Sequence, residues 1–238
     1  MADRAVIVNA DDFGQSRGVN RGIVAAHERG IVTSASLMVR WPAAAAAADY
    51  ARAHPALSLG LHVDLGEWTL RGDQWVPVYE VVPVDDEAAV AAEVVRQLAA
   101  FRALAGRDPT YLDSHQHVHR REPACSVLIA LAGELDVPLR HFSAQVQYCG
   151  RFYGQDIDGS PIPGVLSADG LIRILAELPP GLSELACHPA EGDDLQTMYR
   201  AERAEEVRAL CDPRVRAALD ELGIALRSFH GLGRATGD

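Results

Sequence analysis

The chain has 238 residues, a length that fits one large domain, and its 48% hydrophobic content is enough for a substantial core. Lys and Arg number 22 against 33 Asp and Glu, a formal net charge of −11 that disfavours nucleic acid and anionic membrane surfaces as partners. No stretch approaches the roughly eighteen uninterrupted apolar residues of a membrane-spanning helix, and the opening Met-Ala-Asp-Arg does not read as a signal peptide, so a cytoplasmic protein is expected. Cys125, Cys149, Cys187 and Cys211 form no C-x-x-C pair and read as scattered thiols, not as a disulfide framework or a zinc clip.

Apolar runs of strand length alternate with segments of helical period. Arg4–Ala10 is the first strand, with a turn at Phe13-Gly14, and Val19–Arg29 is a helix that stops at Gly30. Val32–Val39 is the second strand; Pro42 opens an alanine-rich helix that Pro55 stops; Ser58–Leu65 is the third strand. Residues 66–85, which include Trp68, Trp75 and Tyr79, lack a clean period and predict a long loop with a small hairpin. Asp85 and Asp86 cap a helix that ends at Gly106, Thr110–Ser114 is the fourth strand, and Glu122-Pro123 opens the next helix. Val137–Phe142 is the expected fifth strand, followed by an aromatic, glycine-rich loop over about 143–166. Ser167 caps a helix that Pro179-Pro180 ends, Glu184–Cys187 is the sixth strand, two helices follow, and Ile224–Ser228 is the seventh.

This alternation predicts a parallel sheet with helical crossovers. About seven such units predict an α/β fold, a distorted TIM-like (β/α) barrel, in a single domain over residues 1–238. The loops at 66–85 and 143–166 are expected to line a substrate cleft, with Trp68, Tyr148 and Tyr153 as sugar-stacking candidates and loop anchoring as the plainer reading.

Barrels gather reactive groups at the carboxyl ends of their strands, and titratable residues cluster there in this chain. Asp11 and Asp12 follow the first strand; adjacent buried carboxylates are costly unless a cation or a proton-transfer role compensates, although Asp also caps helices. His62 and Asp64 end the third strand, where a lone His is more often structural than a ligand. In Asp113-Ser114-His115-Gln116-His117-Val118-His119, a continued strand period would point all three imidazoles to one side, as a metal or proton-transfer site requires. Arg140 and His141 lie on the fifth strand, and His188, fixed by Pro189, follows the sixth as a turn residue or a general acid. The helix start with Arg200, Glu202, Arg203, Glu205 and Glu206 reads as a solvated charged face.

Taken in order, Asn9-Ala10-Asp11-Asp12-Phe13-Gly14, Gly60-Leu61-His62, Asp113 to His119 and Cys187-His188-Pro189 resemble the YdjC-like carbohydrate deacetylases, which include chitooligosaccharide and hopanoid-biosynthesis deacetylases. The resemblance runs along nearly the whole chain, including a late Arg-x-x-Glu helix; Ala190 stands where the family often has Gly. It implies one divalent cation, zinc or magnesium, held by Asp12, His62 and His115, with Asp11 as general base, His188 as general acid and Arg140 orienting Asp11. Strand period leaves the choice between His115 and His117 open, and His117, His119 and Asp64 stand as additional candidates. An acetylated amino sugar is the implied substrate and a homodimer is admitted. A metal-dependent phosphoesterase and a non-catalytic sugar-binding relative are the alternatives.

Overall fold

The computed structural model describes residues 4–156, 159–192, 194, 195, 197 and 199–233. Its centre is β1 (Arg4–Phe13), nearly all buried, an apolar strand of the kind that lies inside parallel sheets. Around it run β2 (Ser34–Leu37), β3 (Ser58–Val63), β6 (Leu112–Ser114), β7 (Val146–Cys149), β8 (Gly181–Cys187) and β9 (Ile224–Arg227). The order is β6-β3-β2-β1-β8-β7, every pairing parallel, which gives an open, barrel-like wall. β8 covers one edge of β1 from Arg4 to Ala10, so β9, opposite Arg4–Ile7, and β2, opposite Asn9–Phe13, divide the other edge between them.

The crossovers are α1 (Arg17–Glu28), α2 (Ala44–Ala53), α3 (Glu87–Ala105), α4 (Ala124–Leu135), α5 (Ala168–Ala176), α6 (Ala201–Leu210) and α7 (Pro213–Leu222). Their ends obey local chemistry. The Ser16, Asp86, Ser167 and Asp212 side chains accept from first-turn N–H groups, and Gly106 and Gly223 close α3 and α7 in the left-handed conformation, at φ of 70° and 64°.

Side chains alternate along β1: Val6, Val8 and Ala10 enter the large core under the helices, while Ile7 joins Tyr111, Val146 and Phe229 on the opposite, inner face. That face turns polar toward the carboxyl end. Asn9 donates to Ser36 (2.8 Å), and the Tyr111 hydroxyl reaches both Asn9 and Ser36. Gly60 makes room for the Tyr111 ring, since a Cβ there would lie 2.3 Å from Tyr111 Cζ.

Three expectations are corrected. Asp11 and Asp12 lie within β1, not after it. Residues 137–142 form no strand: Leu139 makes a single bridge to Leu112, because Pro138 has no N–H to give and His141, at φ 69°, turns the chain away. The strand in that part of the sequence is β7, inside the segment read as a loop, and it pairs with β8. The hairpin expected in 66–85 is present as β4 (Gly66–Arg71) and β5 (Gln74–Glu80).

Candidate metal and catalytic site

Strict alternation would send Asp11 inward and Asp12 toward the helices. A left-handed φ of 68° at Asp12 breaks the rule, and both carboxylates reach the inner polar cluster. Asp12 Oδ1 lies 3.4 Å from His62 Nε2 and 3.1 Å from His115 Nδ1. Neighbouring ligands on a tetrahedral cation with bonds of about 2.0–2.1 Å stand about 3.3 Å apart, so these separations suit a small divalent ion. Asp12, His62 and His115 are all buried, each with a ligand atom within 4.8 Å of the others. His62 Nδ1 donates to Asp113 Oδ1 (2.8 Å), which fixes the ring and leaves Nε2 for the centre. Arg203 Nη2 donates to the other Asp12 oxygen (2.7 Å).

Burial disfavours charge here, but the partners outweigh it. Arg203 and His115 hold Asp12 well below the usual carboxylate range. The Asp12 carboxylate pushes His115 up to about 9, and Asp113 with Asp12 raises His62. Two cationic imidazoles around one carboxylate is the arrangement a metal ion replaces when it displaces their protons.

Asp11 is gripped by Arg140 through two bonds of 2.7 Å and accepts from Asn9 (2.9 Å). The same guanidinium meets Glu184 (2.8 Å) and Asp113 (2.9 Å), so one buried cation organises three carboxylates. Burial opposes ionisation of Asp11, yet Arg140 keeps its pKa low. Glu184 is pushed up to about 7, burial and the neighbouring carboxylates exceeding the pull of Arg140.

His188 Nε2 stands 3.7 Å from Asp11 Oδ2. Burial lowers its pKa to about 4 against the opposing pull of Asp11 and Asp12, so the resting ring is neutral. Glu206 accepts the His188 backbone N–H and the Tyr199 hydroxyl, and burial raises its pKa to about 8. Tyr153 stacks on Tyr199 with centroids 4.3 Å apart and meets the His188 ring edge-on at 5.5 Å.

These groups lie in a cleft of about 700 Å³, whose wall includes Glu67, His117, Tyr148, Phe152, Tyr153 and Tyr199. Trp68 lines a neighbouring cavity of about 630 Å³ with Trp75, Gln116 and Tyr153. Tyr148 and Tyr153 thus flank the titratable cluster, while Trp68 sits one compartment away. Tyr79 anchors its hairpin through Asp64 (2.9 Å).

The expected common face of His115, His117 and His119 does not form. β6 ends at Ser114, and a 3-10 turn over His115–Arg120 follows, with Gln116 and His117 at φ of 49° and 54°. His115 therefore joins Asp12, whereas His117 and His119 swing toward His141. Burial drives those three pKa values down, to about 2, 3 and 4 for His117, His119 and His141. Asp64 is also separate: Arg40, Trp41, Tyr79 and the Gly66 N–H all donate to it, which makes it a loop anchor. Arg203 and Glu206, read from sequence as part of a solvated face, are buried and touch Asp12 and His188. Their i,i+3 spacing, which puts them on one helix face, was the available signal.

Comparison with known proteins finds relatives along nearly the whole chain. A carbohydrate deacetylase of Geobacillus stearothermophilus is 34% identical over 255 residues, covering 95% of this chain and 97% of that protein. A chitooligosaccharide deacetylase of Serratia marcescens is 31% identical, covering 97% of this chain and 100% of its own. A solved structure from Enterococcus faecalis V583, named as a candidate cellobiose-phosphate cleavage protein, superposes with a TM-score of 0.76 at 28% identity, covering 98% and 100% of the two chains. The family model described as YdjC-like protein matches residues 5–221, and the chain belongs to that family.

Proposed function

We propose that this protein is a metal-dependent carbohydrate deacetylase that hydrolyses an N-acetyl group on an amino sugar or oligosaccharide. The observation that carries the reading is the union, at the floor of one cleft, of a three-ligand group (Asp12, His62, His115) with a carboxylate–imidazole pair, Asp11 and His188. The names of the two deacetylase relatives, which match nearly end to end, support the same substrate class. Two imidazoles and one carboxylate favour zinc over magnesium.

A divalent cation held by Asp12, His62 and His115 would supply a Lewis acid that polarises the acetyl carbonyl and strengthens water as a nucleophile. Asp11, ionised and locked by Arg140, is oriented to accept the water's proton. Its low proton affinity makes it a transient acceptor, and the neutral His188 ring, 3.7 Å away, is placed to take that proton onward. Protonated His188 then donates to the departing amine. Glu206 accepts the His188 backbone N–H and so helps to position the ring. Tyr148 and Tyr153 line the cleft beside these groups and are the aromatic contacts proposed for the sugar.

The test is acetate release from N-acetylglucosamine oligomers, with and without a chelator. Chelator-sensitive release establishes the reading. No release from any oligomer by the metal-loaded protein, together with turnover of phosphate esters, replaces it with the phosphoesterase.

A further inference from the structure

Beside the cleft, three more histidines converge from two separate segments. His117 and His119 come from the 3-10 turn after β6, and His141 from the loop beyond the Leu139 bridge. Each offers a ring nitrogen within 4.8 Å of the other two. Their ring centroids lie 5.1, 5.6 and 5.9 Å apart. Imidazoles sharing one tetrahedral cation through bonds of about 2.0–2.1 Å have centroids about 5 Å apart, so little movement separates this packing from a coordination shell.

The hydrogen bonding of the rings points the same way. His119 is completely buried; its Nδ1 is engaged by the Ser114 hydroxyl (2.6 Å), while its Nε2 has no partner. His117 Nε2 meets the Tyr148 hydroxyl (3.1 Å), while its Nδ1 has none. His141 Nε2 is likewise buried without a partner. In His117 and His119 one nitrogen is held by an oxygen and the other is bare, the pattern of a metal-ligating histidine, where the outer hydrogen bond fixes ring and tautomer. As a packing arrangement it is poor, since three polar atoms are desolvated for no return.

The backbone is also bent to bring the rings together. Among the described residues, the non-glycine residues with positive φ are Asp12, Gln116, His117, Asp136 and His141. Asp136 ends α4; the other four serve the two histidine groups. Gln116 clamps the turn to the β4–β5 hairpin, accepting from Trp68 N–H (2.8 Å) and donating to its carbonyl (2.9 Å). Strained conformations that surrounding structure holds in place gather where function requires them.

We propose that His117, His119 and His141 form a second metal site, distinct from Asp12, His62 and His115, that takes a borderline divalent cation of the zinc class. An all-imidazole set with no carboxylate selects Zn²⁺, Co²⁺, Ni²⁺ or Cu²⁺ over Mg²⁺. Because His115 and His117 sit on one turn, filling this site would also stiffen the segment that delivers His115. The proposal stands apart from the deacetylase reading, since it requires only the histidines.

The experiment is metal counting by mass spectrometry on protein stripped by chelator and equilibrated with buffered Zn²⁺, repeated with Co²⁺ to follow its visible absorption. Wild type is expected to hold about two ions per chain, His62→Ala about one, His141→Ala about one, and the double variant none. Circular dichroism checks each variant's fold, and His119→Ala provides a second route if His141→Ala does not fold. One ion per chain in wild type that survives both His141→Ala and His119→Ala overturns the proposal, as does a stoichiometry of two that neither substitution changes. Should His141→Ala lose an ion while His62→Ala loses none, this site stands and the Asp12-centred assignment falls.

Discussion

His115 and His117 are two residues apart on one turn, yet their surroundings drive them in opposite directions. His115 meets the Asp12 carboxylate and is pushed up to about 9; His117 is buried against Arg140, a hydroxyl and other imidazoles and falls to about 2. The first group is charged and rich in carboxylates, the second neutral and made of imidazole alone. The same side chain is thus prepared for two kinds of site by neighbours contributed from distant parts of the chain, and the left-handed residues of the turn make that division possible.

The contrast can be broken most severely at the charged group. Asp11→Asn should lower turnover roughly 10²–10⁴-fold while metal content stays normal; equal loss of metal would show that Asp11 is a ligand, not a proton acceptor. Arg140→Met leaves Asp11, Asp113 and Glu184 without their common counter-ion, so urea unfolding should show a loss of about 3–5 kcal/mol. An unchanged midpoint would mean that the network contributes orientation only. Arg203→Met frees one Asp12 oxygen and should weaken Zn²⁺ binding roughly 10–100-fold in a competition assay, with little effect on the three-imidazole group. Equal weakening of both groups would remove the distinction between them.

The smallest effect concerns Glu206. Its carboxyl has a folded pKa of about 8 against an ordinary 4.5, so the stability it lends is present below about 4.5 and is lost as pH rises through about 8. Wild type should therefore lose melting temperature from about pH 5 to 8 more steeply than Glu206→Gln does. A steeper slope in the variant would contradict the burial argument.

The alternation of strands and helices was legible because buried parallel strands are short apolar runs and the helices carry clear stops, as Gly106 and Asp212-Pro213 show. That Asp11, Asp12, His62 and His188 would come together was legible for a related reason: each is a polar residue near the end of an apolar strand, where such placement has a cost. The residues misread all depend on tertiary detail. Period-two reasoning sent His115, His117 and His119 to one face because positive φ is uncommon for any non-glycine residue and Gln gives no sign of it. Arg203 and Glu206 looked solvated because a charge-dense helix is usually exposed; only the fold reveals which two of those charges face inward. Pro138 was the clue that residues 137–142 could not complete a ladder, and its missing donor outweighed an otherwise suitable apolar run.

The shared edge of β1 has a bearing on how the molecule comes into being. The strand that carries both aspartates is near the start of the chain, but its partners β8 and β9 span residues 181–187 and 224–227. Emerging from the ribosome, β1 meets β2 early and must then wait for residues 181–187 and 224–227 before its other neighbours arrive. Such long-range closure slows folding and leaves an apolar strand edge open in the interim. The carboxylate pair on which the site depends is therefore synthesised well before the strands that complete the sheet around it.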